Sequence, residues 1–482
     1  MTNQNQNQKP NVIIIMADQL RYDAIGQFTP HLNELKKESV VFNRAYCASP
    51  ICVPARGAFF TGRYPNETGC LINPWAEQDR MNGMVKEGIP HLYQLMEQQW
   101  DSWHTGKQHL FYNFKPEQQS ESQTHWNTEA DYMDYLKEHG KQAPGGPRFT
   151  GLVPEMVTGR HTTVKSYSIP FMDRYTEGLD YFFDGYITNR SLDALASRNK
   201  EKPLFLSTMF LAPHPPYHLP EPWYSMIGEE EFELPDNVGV WYPDQSPLQM
   251  YNLTGVLGTR YSREEWRSIW AKYLGLVNLL DDGVGRIIEE LKKRNLYDNS
   301  LIIFTSDHGE MLGSHRLWQK FCMYEESVRT PLWIKFPDGF VPSVNEVNET
   351  VSSLDVLPTL CEFLGLDKPE SLSGKSLMPL IRGVKQDKEA IYIQYDGNGS
   401  LGNFQRCIVK GRYKLIVDLF KDETYLELYD VVADPQETIN LAVLGSHDDE
   451  LNQLMALLKK HMELTGDHIE MNEELLRRRL RR

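Results

Sequence analysis

Three apolar runs that lack polar alternation constrain this chain more than any other feature. Asn11-Val12-Ile13-Ile14-Ile15-Met16-Ala17 stops at Asp18. Leu301-Ile302-Ile303-Phe304-Thr305-Ser306 stops at Asp307-His308, and Leu204-Phe205-Leu206-Ser207-Thr208-Met209-Phe210-Leu211 leads into Pro213-His214. Strands covered on both faces read this way, whereas a half-exposed strand alternates. In open α/β sheets ligands collect beyond the carboxyl ends of the strands, so the three polar termini predict one functional edge. Between the last two runs, Ser262-Arg263-Glu264-Glu265 reads as a capping box that opens a long helix. Trp266, Trp270, Tyr273, Val277, Leu280, Val284, Ile287, Ile288 and Leu291 recur along it at helical spacing and predict a core-facing stripe. Strand, helix and strand then form an α/β crossover.

A chain of 482 residues exceeds the size at which one hydrophobic core stops growing. The expected fold is α/β: a large mixed, mostly parallel sheet flanked by helices over residues 1–385, and a small α+β domain over 386–482. In the latter, Ala390–Tyr395, Gln405–Val409, Tyr413–Val417 and Glu427–Asp430 predict a small antiparallel sheet, with turn signals such as Asp396-Gly397-Asn398-Gly399 between them. A helical pattern from Glu450 to Met462 follows, and the basic end, Arg477 to Arg482, reads as a solvated tail.

The formal charge of −16 argues against nucleic acid or an anionic membrane as partner, so an anionic substrate would need a local positive site. Met1 to Pro10 is polar, without the basic and apolar segments of a secretory signal. No apolar run reaches the ~20 residues that span a bilayer. A cytoplasmic location is the expectation, with a trimmed secreted form as the alternative. Six scattered cysteines do not form a disulfide framework; Cys52 aside, the other five read as buried thiols.

The sharpest motif is Ser49-Pro50-Ile51-Cys52-Val53-Pro54-Ala55-Arg56-Gly57, followed by Thr61-Gly62-Arg63. Pro54 favours a helix start, which puts Cys52 near a helix N-terminus where backbone N–H groups favour an anion. Arg56 falls one turn further on and can face the same spot. Taken singly, such residues have ordinary readings: Asp18 as a turn former, Cys52 as a buried hydrophobe, His214 as a loop histidine. Their joint order along the chain is what carries weight.

Cys52-x-Pro54-x-Arg56 with Thr61-Gly62 behind it resembles the signature of the type I, formylglycine-dependent sulfatases, of the alkaline phosphatase-like superfamily. Companion segments extend the resemblance from about residue 11 to 441. They are Asp18-Gln19, Gly106-Lys107-Gln108-His109, Pro213-His214, Ser306-Asp307-His308-Gly309-Glu310, Trp318-Gln319-Lys320 and the late Asp434-Pro435-Gln436-Glu437-Thr438-Ile439-Asn440-Leu441. The resemblance implies that a maturation enzyme oxidises Cys52 to formylglycine, whose hydrate attacks the sulfur of a sulfate ester. It further implies one divalent ion, held by Asp18, Gln19, Asp307, His308 and residue 52. A mostly oxygen donor set suits Ca²⁺, with Mg²⁺ or Mn²⁺ as alternatives. By the same resemblance Arg56 and Lys107 hold and polarise residue 52, and His109 is the base that assists release of sulfate. His214 and Lys320 contact the bridging oxygen, with His214 the general acid.

The implied activity is hydrolysis of a sulfate monoester, by expectation of a sulfated carbohydrate. Gln19 stands where many sulfatases carry a second Asp, which keeps open a choline or aryl sulfatase and a phosphonate monoester or phosphodiester hydrolase. A thiol phosphatase, with Cys52 as thiolate, fits poorly because its Arg follows six positions after Cys. A catalytically inactive binding protein would be expected to lack a nucleophile or ligand, and none is missing here. His104, His218 and His315 read as packing residues, while Asn73, Trp75, His125 and Trp126 fall where substrate specificity could reside.

Overall fold

The computed structural model describes residues 9–157, 161–385, 390–421, 423–469 and 471. The three apolar runs form adjacent strands in the middle of an eight-stranded sheet. The order across it is Glu346–Val347, Val40–Phe42, Leu332–Lys335, Ser300–Ser306, Asn11–Asp18, Leu204–Pro213, Asp101–Gly106 and His125–Asn127. Asn11–Asp18 pairs in parallel with both Ser300–Ser306 and Leu204–Pro213, while Leu332–Lys335 runs antiparallel to its neighbours. Every side chain of the Asn11–Asp18 strand is buried. Its alternate residues feed two different cores, Ile13 and Ile15 on one face and Val12, Ile14 and Met16 on the other. That two-sided burial is why the run shows no period of two.

The capping box opens the helix as expected. Ser262 accepts from Glu265 N, Ser262 N donates to the Glu265 carboxylate, and the helix runs Arg263–Lys293. Trp266, Trp270 and Tyr273 are buried in the same core as Ile13 and Ile15. Four antiparallel strands, Ile391–Tyr395, Phe404–Lys410, Tyr413–Phe420 and Glu423–Asp430, form a separate small sheet. Leu451, Leu454, Leu458 and Met462 of the Asp448–Thr465 helix pack on it. The fold is therefore α/β with a large, mostly parallel sheet and a small antiparallel sheet plus helix. The basic end, Arg477 to Arg482, lies outside the described residues, and so do residues 386–389, where the domain boundary was expected. No helix among the described residues is long and apolar enough to cross a membrane. All six cysteines are buried free thiols.

Candidate active site

Strand register alone brings two aspartates together. Ala17 pairs with Ser306, so Asp18 and Asp307 leave neighbouring parallel strands side by side, and Asp307 N donates to Ala17 O at 3.2 Å. Gln19 follows in a left-handed conformation, φ 67°. Its N–H donates to Asp307 Oδ1 (3.1 Å), and its carbonyl accepts from Tyr273 OH (2.9 Å), a residue of the Arg263–Lys293 helix.

Cys52 is the first residue of a wholly buried helix, Cys52–Thr61. Its sulfur marks the position at which an oxygen of the oxidised residue would sit. His308 Nε2 lies 3.2 Å from that sulfur, Lys320 Nζ 3.3 Å and Lys107 Nζ 3.7 Å. Donor atoms of Asp18, Cys52, Asp307 and His308 all fall within 4.8 Å of one another. His308 Nδ1 faces Gly309 O at 3.0 Å. A carbonyl only accepts, so Nδ1 carries the hydrogen and Nε2 offers its lone pair to the cluster. This set of two carboxylates and one imidazole, with an amide oxygen alongside, fits a divalent cation.

The cations around it do different jobs. Arg56 is fully buried and does not reach the sulfur by any hydrogen bond in the structure. Its Nε donates to Asp307 Oδ2 (2.9 Å), Nη2 to Asp18 Oδ2 (3.1 Å) and Nη1 to Lys107 O (2.5 Å). Its hydrogen bonds go to the two aspartates and the Lys107 carbonyl, while Cys52 lies near enough to act on it through charge. Lys107 Nζ binds Asp18 Oδ2 at 2.5 Å, and Lys320 Nζ binds Gln19 Oε1 at 2.5 Å. Burial alone would raise the Asp18 pKa; Lys107, His214, Arg56 and Lys320 outweigh it and hold the carboxylate well below its usual range. Burial and Asp18 likewise push the Cys52 thiol up, and Lys107, Lys320 and His308 bring it below its usual value.

Two expected residues make no hydrogen bond to the sulfur. His214 is partly buried, with Nδ1 on Pro215 O. Burial, with Lys320 and Lys107 nearby, keeps its pKa well down. His109 turns Nε2 toward Glu129 (3.6 Å), and its Nδ1 is buried without a hydrogen-bond partner. Burial, Lys107 and Arg56 depress His109 too.

Among the residues flagged for specificity, Asn73 and Trp75 reach the site and the other two do not. Asn73 Oδ1 accepts from Val53 N (3.1 Å), and its Nδ2 donates to Asn398 Oδ1 (3.0 Å). Asn398 in turn donates to Tyr167 OH at 3.0 Å, in the antiparallel hairpin of Thr150–Val157 and His161–Ser168. Trp75, 57% exposed, packs edge-on against His109 at 5.5 Å between ring centroids. His125 stacks on Trp103 and Trp126 packs on Tyr93, at the edge of the large sheet. His104, His218 and His315 are packing residues: His104 bonds Tyr93 and Ser207, His218 accepts from Gly145 N, and His315 stacks on Tyr324.

Glu310 escaped the sequence reading although it stands inside a quoted motif: Gln19 Nε2 donates to its Oε2. The small sheet also touches the site's framework. Gln394 N donates to Ala48 O (3.1 Å), and Gln405 Nε2 donates to Phe321 O (3.0 Å), next to Lys320.

Residues 10–366 match the sulfatase family, and residues 313–466 match the C-terminal region of N-sulphoglucosamine sulphohydrolase. The chain is 28% identical to choline-sulfatase of Rhizobium meliloti, over 90% of this chain and 82% of that one. It is 25% identical to an ulvan-active sulfatase of Formosa agariphila, over 98% and 84% of the two chains. In structure it resembles phosphonate monoester hydrolase of Silicibacter pomeroyi, with a TM-score of 0.73 at 22% identity over 95% of this chain and 96% of that one. With a family match covering most of the chain, and with Asp18, Cys52, Asp307 and His308 drawn into one buried cluster, the chain belongs to the sulfatase family of sulfuric ester hydrolases within the alkaline phosphatase-like superfamily.

Proposed function

We propose that the chain hydrolyses sulfate monoesters of a carbohydrate, using a formylglycine made from Cys52. The observation that carries this reading is the convergence of Lys107, Lys320 and His308 on the Cys52 sulfur at the start of a buried helix. The two ammonium groups supply preorganised positive charge, which stabilises a developing oxyanion most where water is excluded.

Asp18, Gln19, Asp307 and His308, with residue 52, would hold one divalent ion, calcium in this proposal and magnesium or manganese in its alternatives. Such an ion would polarise the sulfuryl oxygens and favour an anionic nucleophile. The hydrated aldehyde at residue 52 would supply an oxygen nucleophile in place of the thiol. Arg56 keeps the Asp18 and Asp307 oxygens in register. Lys107 and Lys320 balance charge on either side of residue 52. His214 carries a hydrogen on Nδ1, because Pro215 O can only accept, so its Nε2 is bare in the resting site. An arriving sulfate anion raises its proton affinity, which equips His214 to protonate the departing alcohol. The buried, unpartnered Nδ1 of His109 is the group we assign to take a proton as sulfate leaves.

The carbohydrate is supported by Trp75, whose exposed indole beside His109 offers a face on which a sugar ring can stack, and by the ulvan-active relative. Peptide mass spectrometry across residue 52, on protein made with a maturation enzyme, is the test, paired with sulfate release from sulfated oligosaccharides, choline sulfate and aryl sulfate. An aldehyde with sulfate release from oligosaccharides is the expected result. Faster turnover of a phosphonate monoester or phosphodiester than of every sulfate would replace the substrate class, and an active enzyme with an unmodified thiol would overturn the nucleophile.

A further inference from the structure

Gln19 is a primary amide in a fully buried position, and an amide has two ends of nearly equal size, one accepting and one donating. Only the oxygen end can bind a cation, so something must decide which end faces the cluster. The backbone of residue 19 is pinned by Asp307 and Tyr273, which fixes where the side chain starts but leaves the amide free to turn over. Lys320 Nζ lies on the Oε1 side, and Glu310 Oε2 accepts from the Nε2 side.

Of these two, Glu310 has the stiffer mounting. Its other oxygen accepts from Leu312 N (3.0 Å), and Arg21, itself buried, clamps the same turn through Glu310 O (3.2 Å), Met311 O (2.9 Å) and Ser314 Oγ (3.1 Å). Lysine hangs on four methylenes and can follow whichever end it meets only by withdrawing, since it cannot accept. A buried carboxylate, by contrast, accepts only and cannot move away. Turning the amide over would set Gln19 Oε1 against the Glu310 carboxylate and Nε2 against the Lys320 ammonium, two repulsive contacts in place of two attractive ones.

We infer that Glu310 is the positioning residue that holds the Gln19 amide with its oxygen toward the metal cluster. This rests on the proposed reading of Gln19 as a ligand and adds to it. Partners of this kind, which orient a ligand without touching the ion, change metal affinity about 10- to 100-fold when removed.

Calcium titration by calorimetry on the full, matured, chelator-stripped chain provides the test, with a thermal melt of each variant free of calcium. Glu310→Gln leaves one oxygen for two donors, Leu312 N and Gln19 Nε2, so it too should bind calcium more weakly than wild type. Glu310→Met keeps the volume, removes the acceptor and should bind about 10- to 100-fold more weakly. In a Gln19→Met background, Glu310→Met should cost nothing further, because no amide remains to orient. Glu310→Met weakening calcium binding as much in the Gln19→Met background as alone would assign the effect to charge and overturn the inference, as would Glu310→Met binding like wild type while Gln19→Met does not. A lowered calcium-free melt with unchanged calcium affinity would make Glu310 a structural residue only, again overturning it. If Gln19→Met itself binds calcium as wild type does, the ligand reading fails and the inference falls with it.

Discussion

The Lys107 ammonium stands 2.5 Å from Asp18 Oδ2, with both side chains out of water. Removing one partner of such a pair leaves an uncompensated buried charge, at a cost of about 3–5 kcal/mol. Lys107→Met is therefore expected to lower both the melting temperature and kcat/KM, the latter by roughly 10²–10³ if Lys107 also serves the developing oxyanion. Steady-state kinetics on an aryl sulfate beside a thermal melt separate the two. A lower melt with kcat/KM within a few-fold of wild type would leave Lys107 a structural role alone.

Gly106 permits that lysine its position. A Cβ at residue 106 would come within 2.1 Å of Met209 O, and its φ of +104° is one that side chains rarely adopt. Gly106→Ala should push the Asp101–Gly106 strand away from Leu204–Pro213 and destabilise the protein by roughly 3 kcal/mol. A melting temperature equal to that of wild type would show that the strand pair yields without cost.

Acid sensitivity should come in part from His104. Burial holds its pKa down from 6.5 to about 3, so the imidazole is neutral in the fold. Below about pH 6.5 the unfolded chain takes up a proton that the fold refuses, and stability falls as pH drops from there toward 3. At about pH 5 the loss from this one residue is about 2 kcal/mol. His104→Gln should flatten the fall in melting temperature between about pH 7 and about pH 5; an unchanged slope would acquit His104.

Trp75 offers a cleaner separation of binding from folding, since an exposed side chain carries little stability. For Trp75→Ala we expect a melting temperature near wild type, a KM for sulfated oligosaccharide raised about tenfold, and little change on a small aryl sulfate; one bare face of an indole is worth about 1–2 kcal/mol in contact. Equal effects on both substrates would place the sugar elsewhere.

Much of this architecture was legible because strong local signals agreed with the global fold. The Asn11–Ala17 run and the Ser262 capping box each needed only their own neighbours to be read. The Asp101–Gly106 strand escaped notice because Asp101-Ser102-Trp103-His104-Thr105-Gly106 is polar, yet its buried groups find partners in Thr124, Tyr93, Ser207, Ser191 and Thr208. The Thr150–Val157 and His161–Ser168 strands escaped too, because they turn apolar Leu152 and Val164 to solvent, so hydrophobicity does not mark a core-facing side. Motif order pointed to Asp18, Cys52, Asp307, His308, Lys107 and Lys320 as neighbours, and they are neighbours. Partnerships such as Gln19 with Glu310, or Asn73 with Asn398, join positions 291 and 325 residues apart and leave no trace in local spacing. The same holds for Arg56, whose identity was readable but whose hydrogen-bond partners depend on three strand ends meeting.

Ala48 and Phe321 receive hydrogen bonds from Gln394 and Gln405, which lie on strands made after every strand of the large sheet. Cys52, 3% exposed, lies under the framework they complete. The proposed maturation enzyme, if it grips several residues around this thiol, would reach them only while the small sheet is still unmade or undocked. Conversion and folding would then compete on a clock: a chain that closes quickly would seal in an unconverted thiol, and slowing the docking of residues 391–430 should raise the aldehyde fraction that peptide mass spectrometry reads at residue 52.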